Sequence, residues 1–297
     1  MPPVPASSNV FLTLNSVPCG PVRSAAGGTA TADVVTTAAP SGGPIQKKQV
    51  GSVRYDPFVV EVGFGMGKPV YDWIAGFWKG NVDLKDGSLL TADYKLEAKA
   101  EHQFTGALLT ETTFPALDAA AKDSGFLRLR FAPELTKLKK GSGVKLDGGA
   151  KSAKQWLRSG FKLQIDGLDT SKVSTIAPFT VRRTVAESVV GGGPPVNEPG
   201  TLTIPDLSIT LAEVSAPTWF DWLDDFVIKG NNDPSAERSG SIQLLAPDGK
   251  TEIARIKLLN LGIYKLVAEQ PGGRADKVRR VTAGLYCQRM ELDVKTS

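Results

Sequence analysis

The feature that most constrains this chain is that it says the same thing twice. The stretch Thr201–Gly230, TLTIPDLSITLAEVSAPTWFDWLDDFVIKG, reads as a strand, a turn and a helix. Leu202, Ile204, Leu207, Ile209 and Leu211 give largely alternating apolar positions, with a bulge expected at Pro205-Asp206. Ser215 fits an N-cap and Pro217 the first helical turn. Trp219, Trp222, Leu223 and Phe226 then draw one apolar stripe, and Gly230 ends the helix. The earlier copy is Gly51–Gly80, GSVRYDPFVVEVGFGMGKPVYDWIAGFWKG. Val53, Tyr55, Phe58, Val60 and Val62 form its strand, and Tyr71, Trp73, Ile74 and Phe77 its helix stripe. Trp73 and Trp222 stand 149 positions apart (222 − 73). The register extends upstream, where Gly43-Pro44 matches Gly193-Pro194 and Phe11 matches Phe161. A period this long is a whole unit duplicated, not a solenoid repeat.

A chain of 297 residues has room for two such units. Residues 1–8 read as a flexible leader, 9–137 as the first unit, 138–159 as a linker rich in Gly, Lys and Ser, and 160–297 as the second unit. Within the first unit, Asn9–Leu14 and Thr31–Thr37 read as strands, and Thr31–Thr37 forms a long hairpin with Gly51–Val62. Its tip carries Pro40, Gly42, Gly43 and Pro44; the corresponding tip of the second unit carries Gly191, Gly192, Gly193 and Pro194. Phe114–Lys122 reads as a helical turn, and Pro247-Asp248-Gly249 as a hairpin turn. Each unit is mainly β: a barrel or sandwich with one short helix packed on its sheet.

The composition narrows the function. A net charge of +4 over the whole chain is too weak for a nucleic-acid-binding surface. No apolar run reaches the roughly 18 residues of a spanning helix, so no membrane anchor is expected, and the N-terminus lacks a secretory pattern. Cys19 and Cys287 occupy non-equivalent places in the repeats and read as free thiols. Val62–Lys68, VGFGMGK, sits where a phosphate loop would. Val62 and Pro69 break the required spacing, and the second copy has no glycine there, so it reads as a turn. His102, the sole histidine, reads as a strand-surface residue without an oriented partner. No catalytic group, metal site or cofactor is expected. The exposed charges worth attention are Asp72, Asp221 and Asp225 on the helices, and the pairs Arg182-Arg183 and Arg279-Arg280 on strands. They read as a solvated face or as salt bridges to a neighbouring subunit.

The order of GFKLQIDGL, a hairpin with a Gly/Pro tip, LTIPDLSITLAEVSAPTWFDWLDDFVIKG, SGSIQLLAPDGKTEIARIKLLNLGIYKLVAE and VRRVTAGLYCQRMELDV resembles the tail tube proteins of contractile phage tails. The same fold is shared by tubes of phage-derived injection systems and type VI secretion. The resemblance covers nearly all of Gly160–Val294, and Asn9–Leu135 through the repeat. Members carry one such unit per chain; this chain carries two. The resemblance implies a non-catalytic subunit of stacked rings around a lumen that conducts DNA or protein. Sheath and baseplate proteins would be its partners, in a virion or phage-tail-like particle assembled in a bacterial cytoplasm. It also implies about six units around a ring, each lending about four strands. With strands ~4.8 Å apart and tilted ~40°, about 24 strands close at a diameter of roughly 48 Å. Six duplicated chains would double that bore, so three chains in a pseudo-sixfold ring are expected. A tube initiator, terminator or baseplate hub fits the same residues. From another class, so does a monomeric carbohydrate-binding or adhesin module using Trp73, Trp78, Trp156, Trp219 and Trp222 as stacking platforms.

Overall fold

A computed structural model describes residues 9–37, 46–146, 156–188, 196–269 and 279–295. The first half runs β1 (Asn9–Leu14), β2 (Val17–Val22), β3 (Ser24–Ala26), β4 (Ala30–Thr37), β5 (Lys47–Tyr55), β6 (Phe58–Val62), α1 (Lys68–Trp78), β7 (Lys85–Ala92), β8 (Ala98–Phe114), β9 (Leu117–Asp118), β10 (Leu127–Ala132) and β11 (Leu135–Lys140). The second runs β12 (Phe161–Ile165), β13 (Val173–Ile176), β14 (Phe179–Ser188), β15 (Val196–Thr203), β16 (Leu207–Ala212), α2 (Pro217–Leu223), β17 (Arg238–Leu245), β18 (Glu252–Ala268) and β19 (Arg280–Val294).

The duplication is legible in the pairing. The first sheet contains the path β1-β7-β8-β10-β6-β3 and the second β12-β17-β18-β19-β16-β13, the same strand order twice. The difference lies in closure. In the first half the run Val17–Ala26 pairs with β1 through β2 and with β6 through β3, so the sheet curls back on itself. In the second half β13 pairs with β16, and no described strand occupies the place of β2, which leaves a half-barrel. The β1–β2 hairpin turns on Asn15 and Ser16, both at positive φ, the backbone of a two-residue type I′ turn.

Several expectations are corrected. The long strands expected over Gly51–Val62 and Thr201–Leu211 are each two strands in different sheets. At Asp56-Pro57 and at Pro205-Asp206 the chain crosses from one sheet to another; proline cannot donate to a ladder, so pairing ends there instead of bulging. Phe11 and Phe161 are not equivalent. Leu12 and Leu14 face the core of the first half as Leu163 and Ile165 face that of the second, which puts Phe11 on the opposite face; a one-residue slip has this effect in a strand. Phe114–Lys122 is no helical turn, since Leu117 and Asp118 form a short strand on β13. Ser215 lies in a 3-10 turn and Ala216 takes the N-cap position of α2 without a side-chain cap. Beyond Leu223 the helix widens into a π-turn, Asp224–Ile228.

The connector between halves is shorter than its composition implies. Leu138–Lys140 completes β11, an edge strand whose lysines discourage further pairing. Trp156 is buried, its ring edge-on to Phe64 at 5.3 Å and its Nε1 donating to Gly160 O at 3.1 Å. One apolar core runs through both halves, from Leu12 to Leu292, and α1 packs against β2, β8 and the second half's β19.

Candidate assembly interface

The two halves exchange strands. β9 adds to the edge of β13, and β14, with β15 behind it, adds antiparallel to the end of β8. The β8–β14 rungs are Glu111–Arg182, Thr112–Val181, Thr113–Thr180 and Phe114–Phe179. The side chains complement each other along this ladder. Phe114 and Phe179 stack with centroids 5.1 Å apart, the Thr113 and Thr180 hydroxyls meet at 2.9 Å, and Glu111 stands opposite Arg182. Behind the ladder Trp78 donates its Nε1 to Thr112 Oγ1 at 2.6 Å.

Arg183 fastens the hairpin to α1. It is 6% exposed, so its description as one of an exposed basic pair is corrected. Its guanidinium donates to Gly80 O at 2.7 Å and Asn81 O at 2.8 Å and lies 5.4 Å from the Phe77 ring. Those carbonyls follow the C-terminal end of α1, where the helix macrodipole favours a cation. Burial pushes the pKa of Arg183 down, and the two carbonyls and the ring compensate the desolvated charge. Asn197 on β15 completes the attachment by donating to Ala132 O at 3.1 Å. A cavity of about 230 Å³ remains beside the ladder, lined by polar groups that include Glu111, Arg130, Glu134 and Asn197.

Among the described residues, each partner in this junction has a counterpart with no strand added to it. Gly106 on β8 and Asn260 on β18 both take positive φ, and each strand then bulges four residues later, at Thr110 and Tyr264. These landmarks equate Glu111–Phe114 with Lys265–Ala268. β17 covers β18 as far as Leu261, and no described strand pairs with Lys265–Ala268 on that side. Phe114 is buried, whereas its counterpart Ala268 is exposed; Thr113 is half-buried, whereas its counterpart Val267 is 47% exposed. The donor side repeats the pattern. The β4–β5 register slips between Ala32 and Val34, as β14–β15 slips between Arg183 and Val185, which equates Thr31 with Arg182 and Ala32 with Arg183. Among the described residues β4–β5 is a separate two-stranded sheet; every residue of β4 is exposed, and Val50 on β5 is 76% exposed.

The residues singled out from the sequence fall as follows. Trp73, Ile74, Phe77, Trp219, Trp222 and Phe226 are buried and Leu223 is half-buried. Asp72 pairs with Lys68 at 2.6 Å, one turn away. Asp221 is exposed, and Asp225 accepts from Asn231 Nδ2 at 2.8 Å. Arg279 pairs with Glu213 at 2.9 Å; Arg182 and Arg280 are exposed. Pro40, Gly42, Gly43, Pro44, Gly191, Gly192, Gly193 and Pro194 lie outside the described residues. The β8–β14 junction itself was missed from sequence. Its detectable signal was the bulged, long strand with an αL residue at the same place in each copy.

Other chemistry is sparse. Among the described residues no group of three or more His, Cys, Asp or Glu could hold a metal ion. His102 sits edge-on to Phe58 at 4.9 Å, and burial lowers its pKa. The turn at Val62–Lys68 is pinned by Tyr71, whose hydroxyl donates to Gly63 O and accepts from Met66 N, each at 3.0 Å. No described helix is long and apolar enough to cross a membrane.

No family model matches the chain, and no curated protein matches it. Solved structures do. One is the sheath-tube complex of an extracellular contractile injection system, PVC, in the extended state; its chain is 14% identical, with 46% of this chain and 88% of that one covered and a TM-score of 0.39. The sheath/tube terminator of the same system is 17% identical over 47% of this chain and 98% of that one, TM-score 0.39. A chain of the anti-feeding prophage baseplate is 14% identical over 49% of this chain and 99% of that one, TM-score 0.38.

Proposed function

We propose that this chain is a structural subunit of a phage-tail-like tube, assembling into stacked rings around a lumen that conducts DNA or protein. The observation that carries the reading is the junction at β8: two copies of one fold are joined edge to edge by strand addition, and among the described residues a second donor hairpin and a second acceptor edge are left without such a partner. Such a chain is a two-unit piece of a larger array. Strand addition between units also removes the exposed edges that would otherwise aggregate. Three chains per ring supply the six units that the family resemblance implies, in a pseudo-sixfold arrangement. Sheath and baseplate proteins are the outer partners, and the particle assembles in a bacterial cytoplasm. An initiator, terminator or baseplate-hub position in the same machine uses the same junctions.

The sugar-binding alternative loses its platform, because Trp73, Trp78, Trp156, Trp219 and Trp222 are all buried. Purified protein examined by mass measurement and end-on electron microscopy tests the tube reading. Rings of three chains support it. Rings of six or twelve chains overturn the stoichiometry, and a monomer that persists at high concentration overturns the tube reading itself. Deleting Gly191–Pro195 tests the tips: each unit stays folded and stacking is lost, whereas normal tubes from the deletion variant refute a stacking role.

A further inference from the structure

We infer that a second copy of this chain seats its hairpin β4–β5 on the Lys265–Ala268 edge of β18, repeating between chains the junction that β14 makes with β8 inside one chain. The inference rests on the tube reading and deepens it by naming the surfaces. The intrachain junction supplies the register. Arg182 opposes Glu111, so Thr31 opposes Lys265; Val181 opposes Thr112, so Ala30 opposes Leu266; Thr180 opposes Thr113, so Thr29 opposes Val267. The fourth rung is left out, because Gly28 is buried against Phe58 in its own half.

Three observations support a second copy as the occupant. First, acceptor and donor are each the duplicate of a surface already seen paired, so the shapes that fit are present in one chain. Second, both carry apolar groups that solvent should not face. Val34, Val35, Val50 and Val53 are exposed on the hairpin. At the acceptor, Val267 and Tyr264 on β18 and Val227 and Ile228 on the adjoining π-turn are exposed. Val53 is equivalent to Leu202, which is half-buried against the core at the intrachain junction. Third, the contact is head-to-tail. Donor and acceptor are different surfaces, so the interface is heterologous and propagates into a ring or a filament instead of stopping at a dimer.

The intrachain version also differs from this one in a useful way. Glu111 and Arg182 put opposite charges on one rung, and their interchain counterparts Lys265 and Thr31 do not. Recreating the pair therefore tests the register. Thr31→Arg alone places like charges opposite each other and weakens assembly up to about fivefold, the upper range for such a pair. Adding Lys265→Glu restores or exceeds wild-type assembly. Both positions are exposed in the single chain, so neither change threatens the fold.

Covalent trapping provides the decisive readout. Chains carrying Thr31→Cys and chains carrying Lys265→Cys are purified separately, mixed and oxidised under assembly conditions. The expected product is a disulfide-linked dimer that needs both chains, while the Thr31→Cys, Lys265→Cys double variant ladders to higher oligomers on a non-reducing gel. The native thiols do not interfere, because Cys19 and Cys287 are buried and burial pushes each up to about 11. Rings in end-on images without the mixed dimer overturn this junction and leave the tube reading standing. A double variant that closes its disulfide within one chain also overturns it. A wild-type chain that never assembles overturns both.

Discussion

Phe114 and Phe179 lie face to face, their ring planes 4° from parallel, and they belong to different halves of the chain. Phe114 ends the longest strand of the first half and Phe179 begins the hairpin of the second. Both are buried. Their stack is where two copies of one fold become a single body, because β14 has no other described partner except its own hairpin strand. The core is continuous across this point, so the halves are expected to unfold together.

Replacing Phe179 by Ala therefore loosens the junction without touching either sheet's own ladder. The expected cost is about 3–5 kcal/mol, the usual range for a buried phenylalanine. Hydrogen exchange should quicken at Thr112–Phe114 and Thr180–Val181 together, and more there than in β16–β19. Protection lost over Thr180–Val181 alone would show that the two sides are not coupled.

The paired tryptophans predict an asymmetry. Trp73 Nε1 donates to Asp83 O at 2.8 Å, whereas Trp222 Nε1 is buried with no hydrogen-bond partner among the described residues. Trp73→Phe thus removes a hydrogen bond and strands a carbonyl, and Trp222→Phe removes a donor that has no bond to lose. Both leave the same void, so Trp73→Phe should cost about 1 kcal/mol more, measured by urea unfolding. Equal losses would count against the hydrogen-bond account.

How much of this was legible beforehand follows from range. Helix stripes are local, and Trp73 and Trp222 gave away both helices and the duplication. The Pro-Asp-Gly turn was legible for the same reason: Asp248 accepts from Lys250 N and Thr251 N within its own loop. The sheet crossings at Asp56-Pro57 and Pro205-Asp206 were not, because the one-residue break in alternation at each reads equally as a bulge within one strand, and only the partner strands tell the two apart. Arg183 looked like one of an exposed pair because its neutralising carbonyls, Gly80 O and Asn81 O, are about a hundred residues away in sequence. β11 looked like linker because lysines on an edge strand and lysines on a flexible connector have the same composition.

Acid should act on the β17–β18 turn. Bonds from the Thr251 hydroxyl, then from the Thr251 and Lys250 amides, depress the Asp248 carboxyl to about 2. A depressed folded-state pKa means that the stabilisation is full above the ordinary aspartate value of 3.8 and is lost as pH falls through about 2. The melting-temperature gap between wild type and Asp248→Asn should be constant near neutrality and close between about pH 4 and 2. A gap that is unchanged at pH 2 would mean that the charge does not hold the turn.

The two αL residues give the last prediction, and it separates backbone conformation from packing. Gly106 has φ +60, and a Cβ there would meet the carboxylate of Glu134. Asn260 has φ 57 at the equivalent place, with its Nδ2 donating to Glu237 at 2.9 Å. Asn tolerates this region better than other side-chain-bearing residues, and glycine enters it freely. Asn260→Gly should therefore be nearly neutral, since it keeps the backbone and loses one exposed hydrogen bond. Asn260→Val should cost roughly 1–2 kcal/mol for forcing a β-branched residue to positive φ. Gly106→Ala should cost less than Asn260→Val, because alanine has no β-branch and the Glu134 carboxylate, at the end of a flexible side chain, can turn aside. Thermal unfolding of the three variants ranks them. If Asn260→Gly proved as damaging as Asn260→Val, the Glu237 bond and not the backbone would be what Asn260 supplies, and its equivalence with Gly106 as a conformational landmark would fail.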